Sequence, residues 1–369
     1  MKTSLLHKLF KNSTLLLLLV GCTNVEMIKD KVSGTPAKAQ IQKEIKTFEP
    51  PILEESQKLA LSKYCKKVDK RFLAYGWGRS KCLDYDWVYE LESVKKDPLI
   101  WTTFGSRYDD KGEKQEVTLI MCGVHGDEIT PIKFCFDIVE YLRNLNETKH
   151  GKADLEKRFV VVAPIVNPDS FFKRRPTRTN ANGVDINRNF PTKDFKKNAL
   201  KLWKNRYRRD SRRYPGKKAQ SEPEVTLQVN FIKEFRPKKI ISVHAPLTML
   251  DYDGPADAVT GGEVGTRANQ LLIQMSEKAR NYRIKNYPFF PGSLGNYAGN
   301  ERDIPTFTLE LPSSDNRRSA IYWKRFKHSI HSAIMHDLKP DLDVAMDESS
   351  SEAHTHEHDQ TASEKTLNN

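Results

Sequence analysis

The chain has 369 residues, 38% of them apolar and 30% charged, enough for one large α/β domain with tails outside its core. Net charge is +13, and residues 341–369 hold eight acids against one Lys, which leaves about +20 on the rest. Such a body is drawn to polyanions, and the export signal described next excludes nucleic acid in favour of anionic cell wall or lipid headgroups.

Residues 1–22 read as a signal peptide. Lys2, Lys8 and Lys11 form its basic start, and Leu15 to Val20 its apolar run, too short to span a bilayer as a helix. Leu19-Val20-Gly21-Cys22 resembles a bacterial lipobox. That resemblance implies cleavage before Cys22 and lipidation of Cys22, hence a membrane contact through a lipid anchor. An ordinary signal peptide is the alternative. Thr23 stands where an Asp would favour inner-membrane retention, so the expected location is the bacterial envelope, as a periplasmic lipoprotein on the outer membrane.

Residues 23–52 are polar, without clear periodicity, and read as a tether. A domain over 53–340 follows. Leu53 to Val68 has helical spacing, Val117 to Cys122 is a buried strand, and Pro131 to Leu145 is a helix. Phe159 to Val166 is a second strand, and Glu222 to Phe235 a helix with Pro223 in its first turn. Lys239 to His244 is a strand, Gly262 to Tyr282 an amphipathic helix, Thr306 to Leu311 a strand and Arg317 to His336 a closing helix. Strands alternating with helices predict an α/β fold with a largely parallel sheet, whose functional residues lie on loops at strand ends. Cys65 and Cys82 flank a short basic segment and could pair in an oxidising compartment. Cys122 and Cys135 read as separate buried thiols, with no bond expected between them.

Two segments stand out by composition. Residues 192–218 hold twelve Lys and Arg, with Trp203, Tyr207 and Tyr214 among them. They read either as a solvated insertion or as an electrostatic contact with an acidic surface. Residues 341–369 read as a disordered acidic tail, its His354, His356 and His358 solvated.

Two runs carry chemistry. Gly123-Val124-His125-Gly126-Asp127-Glu128 offers an imidazole and a carboxylate three residues apart after a strand. That suits two ligands of one catalytic zinc, the third a His from elsewhere. The spacing alone is weak, since His354 and Glu357 in the tail repeat it; the strand, the two glycines and the following helix supply the context. Gly183-Val184-Asp185-Ile186-Asn187-Arg188-Asn189-Phe190 offers an amide beside a guanidinium, suited to gripping a carboxylate. Together they suggest hydrolysis of a peptide or amide bond near an acidic terminus.

With these runs in place, the chain resembles the zinc carboxypeptidases of the A/B type, and more closely the bacterial murein peptide amidases. Further matching pieces are Asn167-Pro168-Asp169, Arg178 to Pro191, Ser221-Glu222-Pro223-Glu224, Ser242-Val243-His244, Pro291 to Gly295 and Thr308 to Pro312. They stand in the family's order across roughly residues 70–335. The resemblance implies a mixed sheet of about eight strands between helices and one zinc per chain. It implies His125, Glu128 and His244 as the ligands, with Asp185 orienting a ligand His. Glu310 is implied as general base and proton donor to the leaving amine. Arg178 is implied to stabilise the oxyanion, with Arg174 and Arg175 as rivals. Asn187 and Arg188 are implied to clamp the substrate carboxylate, and Tyr287 to cap the site, with Tyr297 as competitor. Leu294 falls near the specificity position; it is not an Asp, so a pocket for Lys or Arg side chains is not supported there.

The leading expectation is a zinc hydrolase of peptidoglycan stem peptides or muropeptides, cleaving an amide such as γ-D-glutamyl–meso-diaminopimelate with zinc-activated water. The alternatives are a metallocarboxypeptidase on ordinary peptides, an N-acyl amino acid deacylase, or an envelope module that binds wall without catalysis.

Overall fold

Val117 to Cys122 is apolar but for Thr118 because it lies mid-sheet, with every one of its residues buried. In the computed structural model, which describes residues 50–255 and 263–338, seven strands are named: β1 (Thr102–Gly105), β2 (Val117–Cys122), β3 (Phe159–Ala163), β4 (Lys239–His244), β5 (Met249–Tyr252), β6 (Ile284–Lys285) and β7 (Thr306–Glu310). They form one mixed sheet in the order β1-β3-β2-β4-β7-β5-β6. The four central strands are parallel; β1 and β5 run antiparallel to β3 and β7, and β6 pairs parallel to β5. The signal peptide, Cys22, the tether up to residue 49 and the acidic tail lie outside the described residues.

Alternation along the strands sorts side chains into two cores. Ile120 and Cys122 of β2 face a layer that holds helices Glu55–Ala74, Ile129–Asn146, Glu263–Lys278 and Ser319–Met335. Leu119 and Met121 face the other side, where helix Pro223–Phe235 packs. The helix after β2 starts at Ile129, two residues ahead of the expected Pro131, because a proline is tolerated within a first turn. The first helix opens on a Gln57 side chain that accepts from the Glu54 amide at 2.9 Å, and it runs on to Ala74. None of the described helices is long and apolar enough to cross a membrane.

β1, β5 and β6 carry no continuous apolar run. β6 is two exposed residues and β5 contains Asp251, so these strands are absent from the sequence reading. Both cysteine pairs form disulfides. Cys65 joins Cys82 across 17 residues. Cys122 joins Cys135, against the expectation of two separate thiols. The strand and the helix that folds back over it bring their Cα atoms to 6.2 Å, within bridging range.

Parallel order places the switch point beside β2: β3 lies on one flank and β4 on the other. The loops leaving the carboxyl ends of β2, β4 and β7 therefore open on one crevice.

Candidate metal centre and substrate cavity

The chain leaves β2 through Gly123, whose φ of +62° turns it sharply toward the crevice. Gly126 follows where no Cβ fits, since one would stand 2.5 Å from Ser170. This tight loop presents His125 and Glu128 on one side. His244 is the last residue of β4 and the register partner of Glu310, the last of β7. Two residues of the sheet edge thus reach the loop of a third strand.

His125, Glu128 and His244 converge, each offering a ligand atom within 4.8 Å of the others, and all three are buried. Glu128 sits between the imidazoles: His125 Nδ1 is 2.8 Å from Oε1, and His244 Nδ1 is 2.9 Å from Oε2. The far nitrogens are held as well. His125 Nε2 lies 3.2 Å from Asp185 Oδ1, and His244 Nε2 lies 2.9 Å from Ser242 Oγ. Both rings are thereby fixed with Nδ1 toward a common point, as a divalent ion requires. Burial works to raise the Glu128 proton affinity, but the two imidazoles outweigh it and hold the carboxylate ionised. Two imidazoles and one carboxylate, with the rings anchored from behind, suit zinc.

Asp185 is fully buried and gathers three partners. It accepts from Arg178 Nε at 2.9 Å and from the Asn187 amide at 3.1 Å, besides facing His125. Against the cost of burial, Arg178 and His125 hold it well below the usual carboxylate range. Arg178 also points Nη1 at Glu128 Oε1, 3.4 Å away. Its rivals Arg174 and Arg175 are exposed and do not line the cavity. The Arg178 loop is held by Asn180, which donates to Glu222 at 2.7 Å and Glu224 at 3.0 Å and accepts from the Val184 amide at 3.1 Å. Ser221 to Glu224, a match without a role in the sequence reading, thus anchors the loop that carries Arg178 and Asp185.

The cavity beside this cluster measures about 630 Å³ and takes in His125, Glu128, His244, Arg178, Asn187, Arg188, Tyr287 and Glu310, a size suited to a small peptide. Glu310 is almost buried, and its Oε2 accepts from the Leu247 amide at 3.3 Å. Burial raises its proton affinity; His244 nearby partly offsets this. Asn187 Oδ1 accepts from the Leu294 amide at 2.8 Å. Arg188 donates Nη1 to Asn187 O at 2.6 Å and stacks 4.6 Å from the Phe290 ring centre. Its Nε has no hydrogen-bond partner. Tyr287 is 42% exposed at the cavity, whereas Tyr297 is 1% exposed and packs on Phe190. Only the first can move over a ligand.

Two further features of this cavity escape the sequence reading. The insertion at 192–218 is part of the wall, not a detached loop: Arg206, Tyr207, Arg212 and Arg213 line the cavity. Arg212 pairs with Asp127 at 2.7 Å, Asn189 donates to Pro215 O and Lys218 O at 2.7 Å each, and Trp203 packs on Tyr214. Asp251 and Asp253 also line the cavity. Burial, then repulsion from Asp253, pushes Asp251 up to about 7. Such a pair favours a shared proton or a bound cation. The only sequence signal for it is the alternation Met249, Asp251, Asp253, which needs β5 to be recognised first.

Residues 88–327 match the zinc carboxypeptidase family, Peptidase M14. Murein peptide amidase A of Vibrio campbellii is 33% identical over 223 residues, 60% of this chain and 77% of that protein. The protein of the same name from Escherichia coli K12 is 32% identical over 222 residues, 59% of this chain and 78% of its own. Among solved structures, carboxypeptidase A of Helicoverpa armigera superposes with a TM-score of 0.52 at 16% identity, covering 78% of this chain and 75% of its own.

Proposed function

The chain belongs to the zinc carboxypeptidase family and is a zinc metallopeptidase, and from that premise we propose that it cleaves murein peptides at the amide joining γ-D-glutamate to meso-diaminopimelate. The observation that carries the reading is the convergence of His125, Glu128 and His244 with Glu310 as the register partner of His244. The relatives that bear the name murein peptide amidase A support the substrate class. So does the cavity, whose lining of Arg188, Arg206, Arg212 and Arg213 suits an acidic peptide.

His125, Glu128 and His244 would hold the zinc. When bound, the ion supplies Lewis acidity, polarising the scissile carbonyl and making a coordinated water acidic near neutral pH. The residues do the rest. Arg188, with Asn187 beside it, binds the carboxylate of the leaving residue and so sets the amide in register. Asp185 fixes Arg178 so that its guanidinium faces the carbonyl oxygen as negative charge develops there. Glu310 takes a proton from the attacking water and passes it to the departing amine; its raised proton affinity suits both transfers. Tyr287, at the cavity mouth, closes over the bound peptide and excludes solvent.

We place the protein in the bacterial envelope, lipidated at Cys22 and held on the outer membrane. The lipobox-like run and the two disulfides support this, since disulfides persist in oxidising compartments.

Digestion of defined muropeptides followed by mass spectrometry tests the reaction. The wild type should release meso-diaminopimelate from the tripeptide, and Glu310→Gln should release none while keeping one zinc per chain. Cleavage of ordinary C-terminal peptides alone would replace the substrate; undiminished activity in Glu310→Gln would remove Glu310 as base.

A further inference from the structure

The insertion at 192–218 forms part of the cavity wall, yet most of its charge has no part in the reaction just described. It holds twelve Lys and Arg against two Asp, a net of +10 in a chain of +13. Eleven of the twelve cationic residues are exposed, and Arg213 is half-buried. Among the described residues only two of them form ion pairs, Arg212 with Asp127 and Arg213 with Asp210. Like charges gathered this densely repel one another, and the repulsion is relieved when counter-charge collects on them.

A separate observation ties this face to the cavity. The segment is fixed at both ends: Thr192 Oγ1 accepts from the Gly292 amide at 2.9 Å, and Asn189 donates to Lys218 O at 2.7 Å. Between them Phe195 to Asn205 is continuously helical, with Phe195 and Ala199 buried and Lys196, Lys197, Lys201 and Lys204 exposed. The chain then enters the cavity wall with Arg206, Tyr207, Arg212 and Arg213. Arg206 and Arg213 both stand over the Tyr207 ring, 6.0 and 4.7 Å from its centre. The positive charge of the outer face therefore continues along one anchored segment into the place where substrate binds.

We propose that the outer face of the insertion docks on intact murein, an insoluble polycarboxylate, and brings the cavity to stem peptides still attached to it. The proposal rests on the reading that the cavity cleaves murein peptides. Continuity decides the partner. One polymer with free carboxylates on its stem peptides can both cover the face and fill the cavity, whereas anionic lipid headgroups offer the cavity no amide to cut. Attraction between such a face and a polyanion speeds encounter and is screened by salt. The inference narrows the substrate from murein peptides at large to those the wall carries.

Co-sedimentation of the zinc-loaded full chain with purified sacculi tests this. The wild type should pellet at about 0.05 M salt and be released at about 0.5 M. Lys196→Gln, Lys197→Gln, Lys201→Gln and Lys204→Gln combined should weaken pelleting about tenfold and slow the release of fragments from sacculi about as much. Zinc content and kcat/KM on the free tripeptide should stay at wild-type values, which also shows that the variant is folded. Lys63→Gln, Lys66→Gln and Lys70→Gln, exposed on the first helix, should together cost far less. Phosphatidylcholine vesicles with and without phosphatidylglycerol serve as the second probe, since only the difference between them reports on charge. A wild type that stays in solution at low salt, or pellets regardless of salt, would overturn the docking face. So would an insertion variant with undiminished pelleting, a first-helix variant with an equal loss, or a loss confined to phosphatidylglycerol vesicles. The wild-type salt response needs no variant, so a misfolded mutant does not shield the proposal. The two readings separate: insertion-dependent pelleting without cleavage of the tripeptide removes the reaction and leaves the docking face, and cleavage without pelleting does the reverse.

Discussion

The metal half of the crevice and the substrate half are built from the same residue types but differ in how their charges are satisfied. Around the metal point each group has a partner behind it: His125 has Asp185, His244 has Ser242, and Asp185 has Arg178 and the Asn187 amide. Across the cavity the charges are less completely paired. Arg188 Nε has no hydrogen-bond partner, and Asp251 and Asp253 form no close ion pair among the described residues, although His244 and Arg188 act on Asp253 from further off. Fully partnered networks fix geometry, whereas buried charges without partners cost stability until a ligand supplies them. The first half is arranged to hold an ion in one place. The second is arranged to be completed by substrate.

If that division is right, damage to the metal half should appear first as lost metal, and damage to the substrate half as lost affinity with the metal retained. The largest effect belongs to His244→Ala, which removes a ligand at the end of β4. Zinc content should fall to near zero and activity to background; a variant with full zinc by atomic absorption would show that His244 is not a ligand. Asp185→Asn keeps the shape but weakens the hold on His125 and Arg178. Zinc affinity should drop roughly 10- to 100-fold, read by competition with a chelator. An unchanged affinity would move Asp185 from the metal half to a purely structural role.

Legibility followed the same division. The metal half was readable because its residues end or follow strands whose bounds show in the sequence: β2 and β4 match their expected bounds, and β7 ends one residue early, at Glu310. His125 and Glu128 are local in sequence, and His244 and Glu310 end strands that pair residue for residue. The substrate half was not readable in the same way. β5 is short and interrupted by Asp251, so no period announces it, and without β5 the acids have no face to share. The insertion at 192–218 reads as a charge run because nothing local shows that Arg212 reaches Asp127, 85 residues away. Cys122 and Cys135 hide their bond for a similar reason, since it depends on the angle at which a helix returns over its strand.

On the substrate side, Arg188→Lys keeps the charge and loses the planar fork that grips a carboxylate and stacks on Phe290. KM should rise about tenfold, the scale of one well-placed charged hydrogen bond, with zinc content unchanged. A fall in zinc content instead would mean that Arg188 supports the metal through its neighbours, and the two halves would not be separable.

The smallest effect comes from Asp251, and its sign can be worked out. Burial and Asp253 raise it to about 7 in the folded chain, against about 3.9 for an unfolded Asp. Between those values the native state holds a proton that the unfolded state has released. Stability therefore falls as pH rises from about 4 to about 7, and the penalty is fully present above that window. Asp251→Asn removes the penalty. Its melting temperature, minus that of the wild type, should grow between pH 5.5 and pH 8, by about 2 °C for a domain of this size. Taking the difference cancels the other carboxylates and the metal, both of which also respond to pH. A difference flat in pH would mean that Asp251 is already ionised and compensated in the free protein, and the contrast between a satisfied metal half and an unsatisfied substrate half would not hold at this residue.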